Sequence, residues 1–299
     1  PCALPAASMR AAATRAIGSC TNPNCRPRLV DHSMYRYNGI LIAEYVDEHG
    51  VIEVVDHDGV RCLHFGSAAQ QSRMPLAAPC QLSALYEQAM TAFLLFNSAP
   101  TNTLMIGLGG GGMARFLLHH SEYGRIHVVE LRPQVVALAR QHFALPQDPR
   151  LQISIGCGAQ YVAQQSRQQA HSHDVIVVDA YSGDGMVPEV ASAEFFADCH
   201  SLLTGSGMLV INLWRSDKAM LATVTRHLLH EFLWRVHFIP MHGSGNLIGF
   251  AFAQEFQLQQ VTQLEARAVQ LQQRYRLDYP EYLQDLRLSD PLNKLFSDE

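Results

Sequence analysis

The run Thr103-Leu104-Met105-Ile106-Gly107-Leu108-Gly109-Gly110-Gly111-Gly112 constrains this chain more than any other stretch. An apolar segment with strand character enters a turn in which five of six residues are glycine, and a helical pattern at 113–120 leaves it. Without Cβ atoms the backbone can turn tightly and let a ligand approach closely. A second strand-like run, Ile126-His127-Val128-Val129-Glu130, follows and ends in an acid. A carboxylate there accepts both hydroxyls of a ribose, whereas a pyrophosphate would rest mainly on the helix N-terminus. Strand, glycine turn, helix, strand and acid together predict nucleoside binding.

From this turn onward the pattern alternates. Strands are expected at 103–107, 126–130, 151–155, 174–179 and 207–213, with strand-like runs at 234–240 and 247–254. Helices are expected at 111–120, 133–143, 158–168, 192–203 and 217–230. Such alternation predicts an α/β, Rossmann-like domain with a mostly parallel sheet and helices on both faces. Continuous apolar runs such as Val175-Ile176-Val177-Val178 suit central strands covered on both sides. Ligands of open parallel sheets sit beyond the carboxyl ends of the strands, where Gly107, Glu130, Cys157 and Asp179 all fall.

Four segments are expected. Residues 1–33, rich in alanine, arginine and proline, read as a poorly ordered leader without the pattern of a signal peptide. Residues 34–80 form a small antiparallel β-unit, with strands near 40–45, 51–56 and 60–65 and a loop over 67–79. A helix over 82–96 opens the nucleoside-binding domain, 81–254, and 255–299 supply a Gln-rich helix to 275 and a polar tail.

Composition excludes some classes. A formal charge of −5 with 22 Lys and Arg, and no basic run, gives no general attraction for nucleic acid. No apolar stretch reaches the length of a membrane span. Seven scattered cysteines without CxxC pairs point to reduced thiols in a cytoplasm. The fifteen histidines lack HExxH spacing, so no metal site is expected.

Several motifs together resemble the spermidine synthase family, aminopropyltransferases built on the sheet of S-adenosylmethionine-dependent methyltransferases. They are Tyr86-Glu87 after the β-unit, the glycine turn, Val128-Val129-Glu130-Leu131, Asp148-Pro149-Arg150-Leu151, residues 156–162, Asp174 to Tyr181, Glu194-Phe195-Phe196 with Cys199, and Pro240-Met241-His242-Gly243-Ser244-Gly245-Asn246-Leu247-Ile248-Gly249-Phe250. The last looks like the family's Pro-Thr-Tyr-Pro-Ser-Gly segment, which ordinary methyltransferases have no reason to carry. The resemblance covers roughly 35–254.

It implies decarboxylated S-adenosylmethionine as aminopropyl donor and a small amine as acceptor, with no metal, and a homodimer paired through the β-unit. Gly107, Gly109, Gly110 and Gly111 would cradle the donor, Glu130 would bind its ribose, and Cys157 and Gly158 would wall the adenine. Asp179 matches the acid after the fourth strand that lines the active site. Tyr86 is expected beside Asp179 among the catalytic residues, Glu87, Tyr181 and His242 are expected to bind substrate, and Glu87 and His242 could also orient or deprotonate the acceptor. The chain also departs from the family. Ser182 replaces the catalytic Asp, Gly110 the acid that holds the donor's amine, Cys157 the acid of the adenine motif, and His242 a substrate-side Tyr. Asp184 would supply the base if the loop Ser182-Gly183-Asp184-Gly185 moves it inward; otherwise it is a turn residue. Asn212 and Trp214 would line the acceptor pocket or pack the sheet end. Two alternatives follow from the thinned acid set: an S-adenosylmethionine-dependent methyltransferase, in which alignment matters more than a base, and a non-catalytic nucleoside-binding protein.

Overall fold

The computed structural model describes residues 35–120, 124–183, 185–254 and 261–289. The leading unit is a five-stranded antiparallel meander of β1 (Tyr35–Arg36), β2 (Gly39–Asp47), β3 (Gly50–His57), β4 (Val60–His64) and β5 (Gln70–Pro75). Its tight turns follow local chemistry. Asp58 and Gly59 take φ of 47° and 75°, joining His57 to its partner Val60 through the two positive-φ residues that match the twist of paired strands. The three expected strands are β2 to β4. The expected loop at 67–79 instead contains β5. Only Ser72 and Met74 of that strand are buried, so an edge strand of mostly polar residues showed no apolar alternation.

The second sheet has seven strands in the order β13-β14-β12-β9-β6-β7-β8. These are β6 (Asn102–Ile106), β7 (Arg125–Glu130), β8 (Leu151–Ile155), β9 (His173–Val178), β12 (Leu203–Trp214), β13 (Val236–Pro240) and β14 (Asn246–Phe252). A two-residue hairpin, β10 (Tyr181–Ser182) and β11 (Gly185–Met186), follows β9. β6, β7, β8, β9 and β12 are parallel, while β14 runs antiparallel to both β12 and β13. The connection 241–245 explains this, since a parallel neighbour needs a crossover far longer than that. The mostly parallel sheet with helices on both faces is the expected fold class.

Alternate strand residues serve two cores. Met105, Val128, Val175, Val177 and Val210 face one side, with α2 (Gly112–His119), α3 (Pro133–His142), the leading sheet and the C-terminal helices. Leu104, Ile106, Val129, Ile176, Val178 and Ile211 face the other, with α4 (Gly158–Ser166), α5 (Ala193–Leu202) and α6 (Lys218–Glu231). Two-sided burial of this kind is what the continuous apolar runs require.

The helix expected over 82–96 is shorter. α1 (Leu85–Met90) passes into a 3₁₀ turn, Thr91–Leu95, where the Thr91 hydroxyl bonds back to the carbonyl of Gln88 at 2.6 Å. The Gln-rich helix is α7 (Val261–Tyr275); its expected beginning, 255–260, and the expected leader, 1–33, lie outside the described residues. The expected polar tail is replaced over much of its length by α8 (Tyr279–Leu288). Tyr279, Tyr282, Leu283 and Leu286 recur at helical spacing and are buried, and the Tyr279 hydroxyl meets Thr91 Oγ1 at 2.9 Å. Pro280 sits in the first helical turn, where its missing N–H costs nothing.

Candidate active site

Parallel order brings the carboxyl ends of β6, β7, β9 and β12 to one edge, and a cavity of about 1020 Å³ opens there. The turn after β6 needs its glycines at defined points. Gly107 has φ of 96°, and a Cβ there would lie 2.2 Å from the Asp179 carbonyl oxygen, so two strand ends meet backbone to backbone. Gly111 has φ of 73° and caps α2 without a side chain. Glu130 stitches the neighbouring turns together: Oε2 accepts from the Leu108 N–H and Oε1 from the Arg132 N–H, both at 2.9 Å. Burial raises the Glu130 pKa above the usual carboxylate value, and these backbone donors oppose the rise. Arg132 in turn holds Asp47 of β2 through two hydrogen bonds, 3.0 and 2.8 Å, and lies over the Phe65 ring. The leading sheet is thereby clamped to the turn that follows β7.

A polar cluster stands at the end of β9. Asp179 Oδ1 accepts from Asn212 Nδ2 at 2.9 Å, and Asn212 Oδ1 accepts from Asn246 Nδ2 at 2.9 Å. The Tyr86 hydroxyl also bonds Asp179, and the Tyr181 hydroxyl donates to the Asn212 carbonyl at 2.9 Å. Burial pushes the Asp179 pKa up, with the Asn212 and Tyr86 bonds pulling the other way. Burial likewise carries the Tyr86 phenol well above its ordinary value, helped by the Asp179 charge. Glu87, 5% exposed, is pushed up to about 8, first by burial and then by Asp179, against the attraction of Arg115 and Arg73. Burial thus raises the pKa of both acids of the pocket, and the value of about 8 for Glu87 is one at which a carboxyl group exchanges protons near neutral pH.

The cavity brings together most of the residues that the sequence singles out. Gly107, Gly109, Glu130, Cys157, Gly158, Asp179, Tyr181, Ser182, Tyr86 and Glu87 all line it, as do Asn212 and Trp214. Gly158 is small for a reason of packing: a Cβ would stand 2.3 Å from Ile106 Cγ2. Three expected residues are placed elsewhere. Gly110 and Gly111 do not line the cavity; Gly110 gives its N–H to Ser72 Oγ at 2.8 Å, and a Cβ on it would meet Phe143 at 2.9 Å and Ser72 at 3.1 Å. His242 is exposed outside the cavity, although its neighbours Gly243 and Ser244 line the wall. Ser182 is exposed in the β10–β11 hairpin, with Oγ 3.3 Å from the Gly185 carbonyl. Asp184 lies outside the described residues.

Asn246 and Ser72 carry structure that sequence reasoning missed. The signal for Asn246 was available with hindsight: a polar residue heading the apolar run Leu247 to Phe252 is buried, and a buried amide needs partners. Ser72 gave no signal, being in the unrecognised strand β5. Among the described residues, no group of three or more His, Cys, Asp or Glu is arranged to hold a metal ion, and no helix is long and apolar enough to cross a membrane. Cys62, Cys157 and Cys199 are free, whereas Cys80 is disulfide-bonded, against the expectation of reduced thiols throughout. No other cysteine stands near Cys80 in the chain, so its pairing left no spacing to read.

Residues 83–230 match the spermine/spermidine synthase domain. The polyamine aminopropyltransferase of Neisseria meningitidis is 34% identical over 81% of this chain and 91% of its own length. The chain belongs to the spermidine synthase family. The same-named protein of Chromobacterium violaceum is 36% identical over 79% of this chain and 89% of its own length. A crystal structure of a spermidine synthase in complex with the transition-state analogue AdoDATO superposes with a TM-score of 0.69, covering 86% of this chain and 88% of its own, at 19% identity. The family match takes in Tyr86, Glu87, the glycine turn, Glu130, Asp179 and Asn212 but ends before β13, so Asn246 joins the cluster from outside it.

Proposed function

We propose that this protein transfers the aminopropyl group of decarboxylated S-adenosylmethionine to a small amine, as a divergent polyamine aminopropyltransferase. The observation that carries the reading is Asp179: a desolvated acid held by Tyr86 and Asn212 on the wall of a cavity that Gly107 and Gly109 of the glycine turn and Glu130 also line. The names of the relatives and the analogue bound by the structural neighbour support it.

Glu130 accepts backbone N–H groups from Leu108, Gly109 and Arg132, and the acceptor capacity left on its carboxylate takes a ribose hydroxyl. Cys157 and Gly158 border the base. The acceptor arrives largely as an ammonium and must lose a proton before its nitrogen can attack. Asp179, with its raised pKa, takes that proton while Tyr86 and Asn212 fix its orientation. The new C–N bond forms as the C–S bond breaks, the electron pair returns to sulfur, and methylthioadenosine leaves as a neutral thioether. The sulfonium charge disappears, and the proton held by Asp179 passes to water. Acceptor-side contacts fall to Tyr181 and Trp214, with Ser182 also on the cavity wall.

The leading sheet is the proposed homodimer surface, supported by exposed Tyr35, Ile40 and Val46. The enzyme's proposed location is the cytoplasm, supported by the small-molecule biosynthetic character of the named relatives. Titration calorimetry tests the central reading. Tighter binding of decarboxylated S-adenosylmethionine than of S-adenosylmethionine, with spermidine formed from putrescine, is expected. Preferential binding of S-adenosylmethionine with methyl transfer would establish the methyltransferase alternative instead, and binding of neither donor would leave only a non-catalytic role.

A further inference from the structure

The glycine turn of this chain lacks an acid for the donor's amine, and its geometry cannot simply take one back. A side chain at Gly110 would be directed against Phe143 and Ser72 rather than into the cavity. Yet the donor's primary ammonium, once desolvated, needs a counter-charge.

Glu87 of α1 stands beside that gap. It lines the cavity, is 5% exposed, and its Oε2 is shut from solvent without a hydrogen-bond partner. Its carboxylate lies over the first residue of α2: a Cβ at Gly112 would be 2.5 Å from Oε1 and 3.0 Å from Oε2. Gly112 is therefore the residue whose bareness makes room for the acid. Neither nearby guanidinium neutralises it by contact. Arg115 spends its donors on carbonyls, Nε on Pro79 at 2.6 Å and Nη1 on Gly110 at 2.8 Å and Phe143 at 2.6 Å, and Arg73 acts only at a distance. A buried acid with an unfilled oxygen is costly, and a cation brought by the ligand relieves that cost.

We infer that Glu87 is the relocated ammonium-binding acid of the donor site, and that it selects a donor ending in a bare ammonium over one that also carries an α-carboxylate. The inference rests on the aminopropyl-transfer reading. The donor's ammonium draws Glu87 into its ionised form, and a second carboxylate beside that charge would be repelled, so the same group that rewards the decarboxylated donor discriminates against the undecarboxylated one. Gly112 follows from Glu87 as its steric complement.

The test is calorimetric binding of decarboxylated S-adenosylmethionine, S-adenosylmethionine and methylthioadenosine to the wild-type chain, Glu87→Gln and Gly112→Ala. Methylthioadenosine has no ammonium and reports whether the rest of the pocket is intact. Glu87→Gln is expected to lower the preference for the decarboxylated donor by about tenfold or more, the worth of a hydrogen bond to a charged group, with methylthioadenosine binding unchanged. Gly112→Ala, which displaces the carboxylate, is expected to do the same. A preference retained in Glu87→Gln, or a loss of methylthioadenosine binding in parallel, would overturn the role of Glu87 while leaving the transfer reading intact. A wild-type chain that binds neither donor, or favours S-adenosylmethionine, would overturn both.

Discussion

Burying Glu87 without a partner ties stability to pH. The carboxyl moves from an ordinary 4.5 to about 8 in the folded chain, with burial and Asp179 as the main causes. The folded state therefore holds a proton that the unfolded state releases. The sign follows from linkage: this contribution is fully present below pH 4.5 and is lost as pH rises through about 8. At about 1.4 kcal/mol per pH unit the interval sets a ceiling on the order of 5 kcal/mol; relaxation around the charge should leave roughly half of it. Glu87→Gln removes the charge while keeping the shape. At pH 4, below the ordinary 4.5, Glu87 is mostly protonated in both states, and wild type and variant should have similar unfolding free energies in urea. At pH 9 the variant should be more stable by about 2–3 kcal/mol. The comparison is made between the two proteins at each pH because Asp179 and Glu130, also raised, add a background common to both. A difference that stays the same from pH 4 to pH 9 would refute the buried, unpaired placement of Glu87.

Other sites give distinct outcomes. Gly107→Ala forces a Cβ to 2.2 Å from the Asp179 carbonyl at φ of 96°, so a loss of about 3 kcal/mol or more is expected, read as a large drop in melting temperature together with lost methylthioadenosine binding. Asn212→Ala takes one hydrogen bond from Asp179 and leaves Asn246 without its acceptor; kcat should fall and the acidic limb of the pH–rate profile should move to higher pH, since the bond that opposed the rise is gone. Tyr279→Phe removes the link from α8 to Thr91 and should cost about 1 kcal/mol in denaturant unfolding without changing kcat.

What the sequence disclosed is what local chemistry encodes. The glycine turn, Glu130 at the end of β7 and the apolar run of β9 follow from residue type and spacing, and the observed strands and positive-φ glycines agree with that reading. Asp58-Gly59 announced its turn in the same way. Pairing between distant segments left weaker traces. β5 is a strand because β4 supplies its hydrogen bonds, and Gln70-Gln71-Ser72-Arg73 says nothing of that. α8 buries a helical face against 3₁₀ residue Thr91 and β13, but the polar residues spread through this segment read as a tail until the packing is seen. Gly110 and His242 lie at expected positions along the chain, yet the direction of the Gly110 Cβ and the exposure of His242 keep both from the cavity. Motif position specifies a backbone location, whereas the direction a side chain faces is fixed by neighbours such as Ser72 and Phe143.

The account turns on Asp179 as the acid that accepts the acceptor's proton. Its most direct measurement is the rate of methylthioadenosine release from decarboxylated S-adenosylmethionine in the presence of putrescine, for the wild-type chain and Asp179→Asn, with methylthioadenosine affinity determined for both. The prediction is one methylthioadenosine per spermidine formed by the wild-type chain, and a fall of about a hundredfold or more in the variant at unchanged affinity. Equal turnover by the two proteins, or release of S-adenosylhomocysteine from S-adenosylmethionine in place of this reaction, would contradict it.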